Sequence, residues 1–208
     1  MSRDAERAVA GTWAVVPAKD FARGKSRLSP ALSDEARGAF AREVFDHVLR
    51  VVTSSRAVSG ILVLTDAPVV AEAARAHGAI VRSDPPSAAS LADVVDAGLA
   101  DLAARGAAAG LVLMADLPML LPDDVRALVD PLGAHDVVLA RACDGHHTNA
   151  LALRPATVLA TSFGHPRSFD AHVVAARAAR LRIALVDNDR VAFDVDGPDD
   201  HARLVRAR

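Results

Sequence analysis

Residues 16–28 read V-P-A-K-D-F-A-R-G-K-S-R-L, a segment that holds Lys19, Arg23, Lys25 and Arg27 just after an apolar stretch at 13–16. Cations this dense suit a polyphosphate, because ammonium and guanidinium groups neutralise it while loop amides complete the cradle. If 13–16 is the first strand of an α/β sheet, the loop lies at its carboxyl end, where open α/β folds take ligands. Gly24-Lys25-Ser26 is not a Walker A loop: the glycine that motif needs five positions earlier is replaced by Lys19. With no G-x-G-x-x-G fingerprint either, phosphate capture would fall to Lys19, Lys25 and Arg27. Read without a ligand, the same segment is a solvated basic loop.

Carboxylates supply the complementary signal. In M-A-D-L-P, Asp116 follows a strongly apolar run and would stand at the same sheet edge as the basic loop, able to ligate a divalent cation on phosphates or simply to bond the turn before Pro118. In F-D-V-D-G-P-D-D, Asp194 and Asp196 are two apart on an expected strand and so share a face. Asp196 is equally placed to cap a helix with Pro198 near its first position. Two polar segments, 145–151 and 163–169, bring Thr148, Ser168 and the amides beside Gly164, groups that suit a small carboxylate or phosphate. Turn and capping chemistry would use the same residues. His146, His147 and His165 lack a placed acidic third ligand for zinc. Cys143 is the one cysteine, which excludes an intrachain disulfide and a cysteine metal cluster; as a nucleophile it would need a base, and only His146 and His147 are near in sequence.

These residues must be positioned by alternating elements. Apolar, β-branched runs at 13–16, 61–64, 79–81, 111–114, 136–139, 150–153, 182–186 and 191–195 predict strands, the fifth and sixth separated by a polar loop at 142–148. Between them Ser33 caps a helix whose Phe40, Val44, Val48 and Val51 recur at helical spacing. Further helices are expected at 67–77, closed by Gly78, and at 90–105, 123–129, 168–180 and from 198 onward. Strands alternating with helices indicate an α/β fold with a mainly parallel sheet.

At 208 residues, without a repeat or long linker, the chain reads as a single domain over 1–208. It is 51% hydrophobic and 24% charged, with no run near the length of a membrane span. A net charge of −2 argues against a general nucleic-acid binder, so the basic loop is a local feature. The opening M-S-R-D-A-E-R leads into no signal-peptide core, and the cytoplasm is the expected compartment.

Taken in order, V-P-x-K-x-x-x-x-x-K-S-R-L, x-D-L-P, T-N-A-L-x-L-R-P, F-G…S-F-x-x-H and F-D-V-D-x-P-D-D resemble, along nearly the whole chain, the guanylyltransferases that make the activated phospholactate or phosphoenolpyruvate intermediate of coenzyme F-420 biosynthesis. The resemblance implies a three-layer α/β/α sandwich with a Rossmann-like sheet of the nucleotidyltransferase type. It implies transfer of GMP from GTP to the phosphate of phosphoenolpyruvate or 2-phospho-L-lactate, with Mg2+ and with pyrophosphate released, and it allows a homodimer. On this resemblance Pro17, Lys19, Lys25, Arg27 and Leu91 bind the nucleotide, and Lys25, Arg27 and Asp116 are catalytic. Asp116, Asp194 and Asp196 bind metal, while Thr148, Asn149, Gly164 and Ser168 bind the acid.

Three segments depart from the family pattern. Ser90-Leu91-Ala92-Asp93 replaces Gly-Leu-Asn or Pro-Leu-Asn beside the base, Gly145-His146-His147-Thr148 replaces G-T-G-T, and the stretch between Gly164 and Ser168 is longer by one residue. All three lie where base or acid would touch, whereas the phosphate and metal positions are kept. His146, His147 and Arg167 would add cationic contacts suited to a more anionic acceptor, which predicts weak use of phospholactate and phosphoenolpyruvate. Two alternatives remain open to the sequence: a nucleotidyltransferase with another nucleotide or phosphorylated acceptor, and a non-catalytic nucleotide-binding module, against which the intact Lys25, Asp116 and Asp194 speak.

Overall fold

The computed structural model describes residues 11–207. Its strands are β1 (Thr12–Pro17), β2 (Gly60–Leu64), β3 (Ile80–Arg82), β4 (Ala109–Leu113), β5 (Val137–Arg141), β6 (Thr148–Leu153) and β7 (Ile183–Val186). They form one sheet in the order β3-β2-β1-β4-β6-β5-β7. Neighbours pair in parallel except at β6, which runs antiparallel to both β4 and β5. The expected mainly parallel sheet is therefore present, with one reversed strand in its interior.

The helices are α1 (Asp34–Ser55), α2 (Pro68–Ala76), α3 (Leu91–Ala104), α4 (Pro122–Val129), α5 (Ser168–Ala178), α6 (Asp189–Ala192) and α7 (Pro198–Ala207). Strand residues alternate between two cores, which produces the three layers. Ala14, Val16, Ile61, Val63, Leu111 and Val138 face α1, α2, α4 and α6, through side chains such as Phe45, Val70, Leu128 and Val191. Trp13, Val15, Leu62, Leu64, Val112 and Leu151 face α3 and α5, through Leu99 and Phe169. Gly110 on β4 allows this second layer to close, because a Cβ there would stand 2.4 Å from Leu99 Cδ2.

Caps behave as the side chains require. Ser33 Oγ accepts the Ala36 N–H at 3.2 Å, and Ser90 Oγ accepts that of Asp93 at 3.2 Å. Gly78 follows α2 at φ +75°, with the Ala79 N–H donating to the Ala74 carbonyl, a Schellman closure.

Two sequence expectations are corrected. Residues 191–195 do not form a strand: the side chain of Asn188 accepts the N–H groups of Arg190 and Val191 and starts α6, after which the Asp194 N–H turns back to the Ala192 carbonyl at 3.2 Å and the segment has no ladder partner among the described residues. The apolar pattern that suggested a strand instead marks anchors, since Val191, Phe193 and Val195 are all buried. Thr148, assigned to the end of a polar loop, opens β6 and pairs with Arg141 across a register shift. A third, small core explains why this matters. It joins Leu28, Phe40, Val44, Phe193, Val195 and Leu204, and so fastens the end of the basic loop to the segment that carries Asp194.

Candidate functional site

The carboxyl ends of β1 and β4 open into a cleft of about 520 Å³. The residues that the family resemblance assigns to nucleotide, metal and acid all line it: Pro17, Lys19, Lys25, Arg27, Leu91, Asp116, Thr148, Asn149, Gly164, Ser168, Asp194 and Asp196. Backbone geometry aims the central cation. Lys25 takes left-handed dihedrals (φ 55°, ψ 34°) ahead of a short 3-10 helix, Ser26–Leu28, a conformation that costs a non-glycine residue about 1 kcal/mol or more. Arg37 of α1 holds the turn, donating from Nη1 to the Gly24 carbonyl at 3.2 Å.

The Lys25 ammonium lies 2.6 Å from Asp116 Oδ2 and 3.3 Å from Asp196 Oδ1. Burial alone would favour its neutral form, but the two carboxylates outweigh that cost and hold its pKa above the usual lysine value. Arg27 approaches Asp196 at 3.6 Å and is 81% exposed, so its guanidinium is free to turn toward a ligand. α7 begins at Pro198, which puts Gly197 rather than Asp196 at the N-cap position; the Asp200 carboxylate accepts the N–H groups of Asp196 and Gly197, and the Asp196 side chain meets the cations.

Asp116, Asp194 and Asp196 each offer an oxygen within 4.8 Å of the others. The Asp194 carboxyl is pushed up to about 6 by burial and by the charges of Asp116 and Asp196, partly offset by a hydrogen bond from Asn149. Although Asp194 is not on a strand, Phe193 and Val195 point into the small core while Asp194 and Asp196 join Asp116. A segment with alternate residues buried thus reproduces, without ladder pairing, the shared face that a strand would have supplied.

Asn149 serves this arrangement. Buried on β6, it donates from Nδ2 to the carbonyls of Val191 and Ala192 at 3.0 and 3.2 Å and to Asp194 Oδ1 at 3.3 Å. Its donors are committed to positioning α6 and Asp194. Cys143 lies 3.8 Å from the same carboxylate, and burial and that charge push its thiol pKa up, the wrong direction for a nucleophile.

The cleft wall also carries Thr148, Gly164 and Ser168. Ser168 Oγ accepts the Thr148 N–H at 3.0 Å, and Thr148 Oγ1 meets His172 Nδ1 at 3.0 Å. Of the three cationic candidates suggested by the departures, His147 lines the cleft, with Nδ1 on the Asp144 carboxylate. His146 and Arg167 do not line it, and Arg167 is paired with Asp170 at 2.6 Å. Asp84 was not singled out from the sequence, yet it lines the cleft beside Lys19. Burial and the charge of Asp66 push its carboxyl up, against the pull of Lys19. An acid directly before Pro85-Pro86 at the end of the third strand was the available signal.

Residues 12–206 match the family model described as "Guanylyl transferase CofC like". The chain is 34% identical over 193 residues to a phosphoenolpyruvate guanylyltransferase of Sphaerobacter thermophilus, covering 93% of this chain and 92% of that one. It is also 34% identical over 185 residues to a 3-phospho-D-glycerate guanylyltransferase of Phenylobacterium zucineum, covering 88% and 84%. Among solved structures, a 4-diphosphocytidyl-2C-methyl-D-erythritol synthase from Anaerococcus prevotii superposes with a TM-score of 0.63 at 11% identity, covering 95% and 98% of the two chains. At that identity the likeness concerns the fold alone.

Proposed function

We propose, because this chain belongs to the CofC-like guanylyl transferases, that its cleft moves GMP from GTP to the phosphate of phosphoenolpyruvate or 2-phospho-L-lactate and releases pyrophosphate. The reaction serves coenzyme F-420 biosynthesis and draws on the cytoplasmic GTP pool. An oxygen of the acceptor's phosphate attacks the α-phosphorus in line, and the bond from that phosphorus to the oxygen bridging the α- and β-phosphates breaks. The attacking oxygen is already anionic, so neither a protein nucleophile nor a general base is needed. What the protein must supply is alignment and relief of repulsion between two polyanions.

The residues divide that work. Lys19, Lys25 and Arg27 neutralise the triphosphate, with Lys25 and Arg27 on the leaving pyrophosphate. Pro17 and Leu91 wall the base, and Thr148, Gly164 and Ser168 hold the carboxylate of the acid. The donor set of Asp116, Asp194 and Asp196 consists of hard carboxylate oxygens within 4.8 Å, one of them crowded enough to be raised toward neutrality, and it fits Mg2+. Bound there, Mg2+ would lower the negative charge between the phosphates of the two substrates. Asn149 keeps Asp194 at its station through the carbonyls of α6.

The observation that carries this reading is the bridge from Lys25 to both Asp116 and Asp196, because it joins three segments distant in sequence at one point of the cleft. His147 on the cleft wall, together with the Phenylobacterium relative, favours 3-phospho-D-glycerate as a further acceptor to be compared. Pyrophosphate release is measured with GTP, ATP, CTP and UTP against phosphoenolpyruvate, 2-phospho-L-lactate and 3-phospho-D-glycerate. GTP with one of these acids gives turnover; release that is independent of every acid, or that prefers another nucleotide, would overturn the proposal.

A further inference from the structure

His172 of α5 has no exposed surface, and its ring is held from three sides. The Ser162 N–H donates to Nε2 at 2.7 Å, Nδ1 lies 3.0 Å from Thr148 Oγ1, and Phe163 packs edge-on at 5.0 Å between ring centroids. An amide N–H can only donate, so Nε2 must be the bare nitrogen and the single proton of the neutral ring must sit on Nδ1. Burial also opposes a second proton, holding the pKa down to about 4 although the Ser168 carbonyl pulls the other way.

With the tautomer set, the hydroxyls beyond it can be counted. Nδ1–H donates to Thr148 Oγ1, while the Thr148 N–H donates to Ser168 Oγ at 3.0 Å. Each hydroxyl oxygen is therefore occupied as an acceptor by a nitrogen donor and still has its own proton to give. The two oxygens are 3.4 Å apart, so they can share at most one of their two protons. At least one is left for a ligand in the cleft that both residues line.

We propose that His172 is a positioning residue of the acceptor site: its Nδ1–H makes the Thr148–Ser168 pair a net hydrogen-bond donor toward the anionic group of the acid. This rests on the reading of Thr148 and Ser168 as acceptor-binding residues. His172 itself touches no substrate. A neutral imidazole performs this task without a buried positive charge, and the same ring anchors the 162–164 turn through the Ser162 amide.

Two isosteric changes separate the functions of the ring. His172→Asn retains a donor near the Nδ1 position and loses the Ser162 contact; His172→Gln retains an acceptor near Nε2 for Ser162 and loses the donor to Thr148. Steady-state pyrophosphate release is followed with GTP and whichever of phosphoenolpyruvate, 2-phospho-L-lactate and 3-phospho-D-glycerate turns over best. His172→Gln raises the acceptor KM roughly tenfold, the weight of one hydrogen bond to a charged group, with kcat and the GTP KM within about threefold. His172→Asn leaves the acceptor KM within about threefold. Thr148→Val raises the acceptor KM by itself, and adding His172→Gln to it changes the value by less than about twofold.

Equal effects of Asn and Gln, a matching rise in the GTP KM, or full multiplication with Thr148→Val would make the role purely structural and overturn the proposal. An acceptor KM unchanged in Thr148→Val would overturn the acceptor-site reading and this inference with it. Should His172→Asn fail to fold, the cycle between His172→Gln and Thr148→Val decides alone.

Discussion

Asp124→Ala tests whether the site depends on an ion pair outside the cleft. Asp124 is 1% exposed, and its carboxylate accepts four hydrogen bonds: from the Leu121 N–H at 2.8 Å, from Asn188 Nδ2 at 2.8 Å, and from Arg190 Nε and Nη2 at 2.8 and 2.5 Å. One acid thereby caps α4 and ties down α6, the helix whose carbonyls orient Asn149 and whose end leads into Asp194. Removing it strands the Leu121 amide, at about 1 kcal/mol for a lost cap. The Asn188 contact adds about 1 kcal/mol. Arg190 is 43% exposed and can rehydrate, so its share is discounted to about 1 kcal/mol.

The sum of about 3 kcal/mol corresponds to a fall of roughly 6–12 °C in Tm for a chain of this size. The control is Asp123→Ala, whose acid is 81% exposed and pairs with Arg126, and which should cost no more than about 0.5 kcal/mol. Burial would raise the Asp124 pKa, but Arg190, Asn188 and the Leu121 amide outweigh it and hold it below the ordinary carboxylate value. Its contribution is thus present above the unfolded carboxyl pKa and is lost as pH falls through the folded one, so wild type and Asp124→Ala converge on acidification below about pH 4. Thermal melts at pH 7 and pH 3, with turnover measured in parallel, provide the readout. Equal costs for the two alanine variants, or a gap that widens in acid, would refute the reasoning.

Further predictions follow from the same geometry. Asp116→Asn keeps the shape of the side chain but removes charge from both Lys25 and the carboxylate cluster; pyrophosphate release falls roughly a hundredfold or more, and a loss under tenfold would remove Asp116 from the chemistry. Gly60→Ala would set a Cβ 2.4 Å from the indole of Trp13, costing about 1–3 kcal/mol. Trp13 is the single tryptophan, so its fluorescence reports the shift directly, and an unchanged spectrum and Tm would contradict the packing. Because His172 is held neutral with a pKa of about 4, the unfolded chain binds its proton more readily; stability is full above about pH 6.5 and is lost as pH falls toward 4. Denaturant titrations across that window should show a shallower acid loss in His172→Gln, and identical slopes would show that this ring is not the group responsible.

The legible parts of the molecule were those governed by neighbours in the chain. Double-sided apolar runs such as 61–64 and 111–114 read as interior strands because both faces of the sheet are covered, and Ser33, Ser90 and Gly78 marked helix ends through bonds to residues within four positions. Less legible was anything decided by a distant partner. The reversal of β6 is not encoded in T-N-A-L-A-L, whose apolar pattern reads alike in either direction. The short helix α6 arises because Asn188 and Arg190 are fastened to Asp124, over sixty residues away, and the local pattern concealed it.

Residue types and spacing by themselves specified an alternating α/β chain, a cationic loop after the first strand, and acidic segments after the fourth strand and near the end. Those are properties of single segments, set by side-chain volume, charge and the period of the backbone. Only the tertiary structure decided that Lys25 bridges Asp116 and Asp196, that the Asp194 carboxyl is raised, that Asn149 is a strut, and that His172 presents Nδ1–H to Thr148. Each of these depends on the distance and burial between groups far apart in the chain. Electrostatic and hydrogen-bond energies follow those separations through space, and sequence order does not carry them.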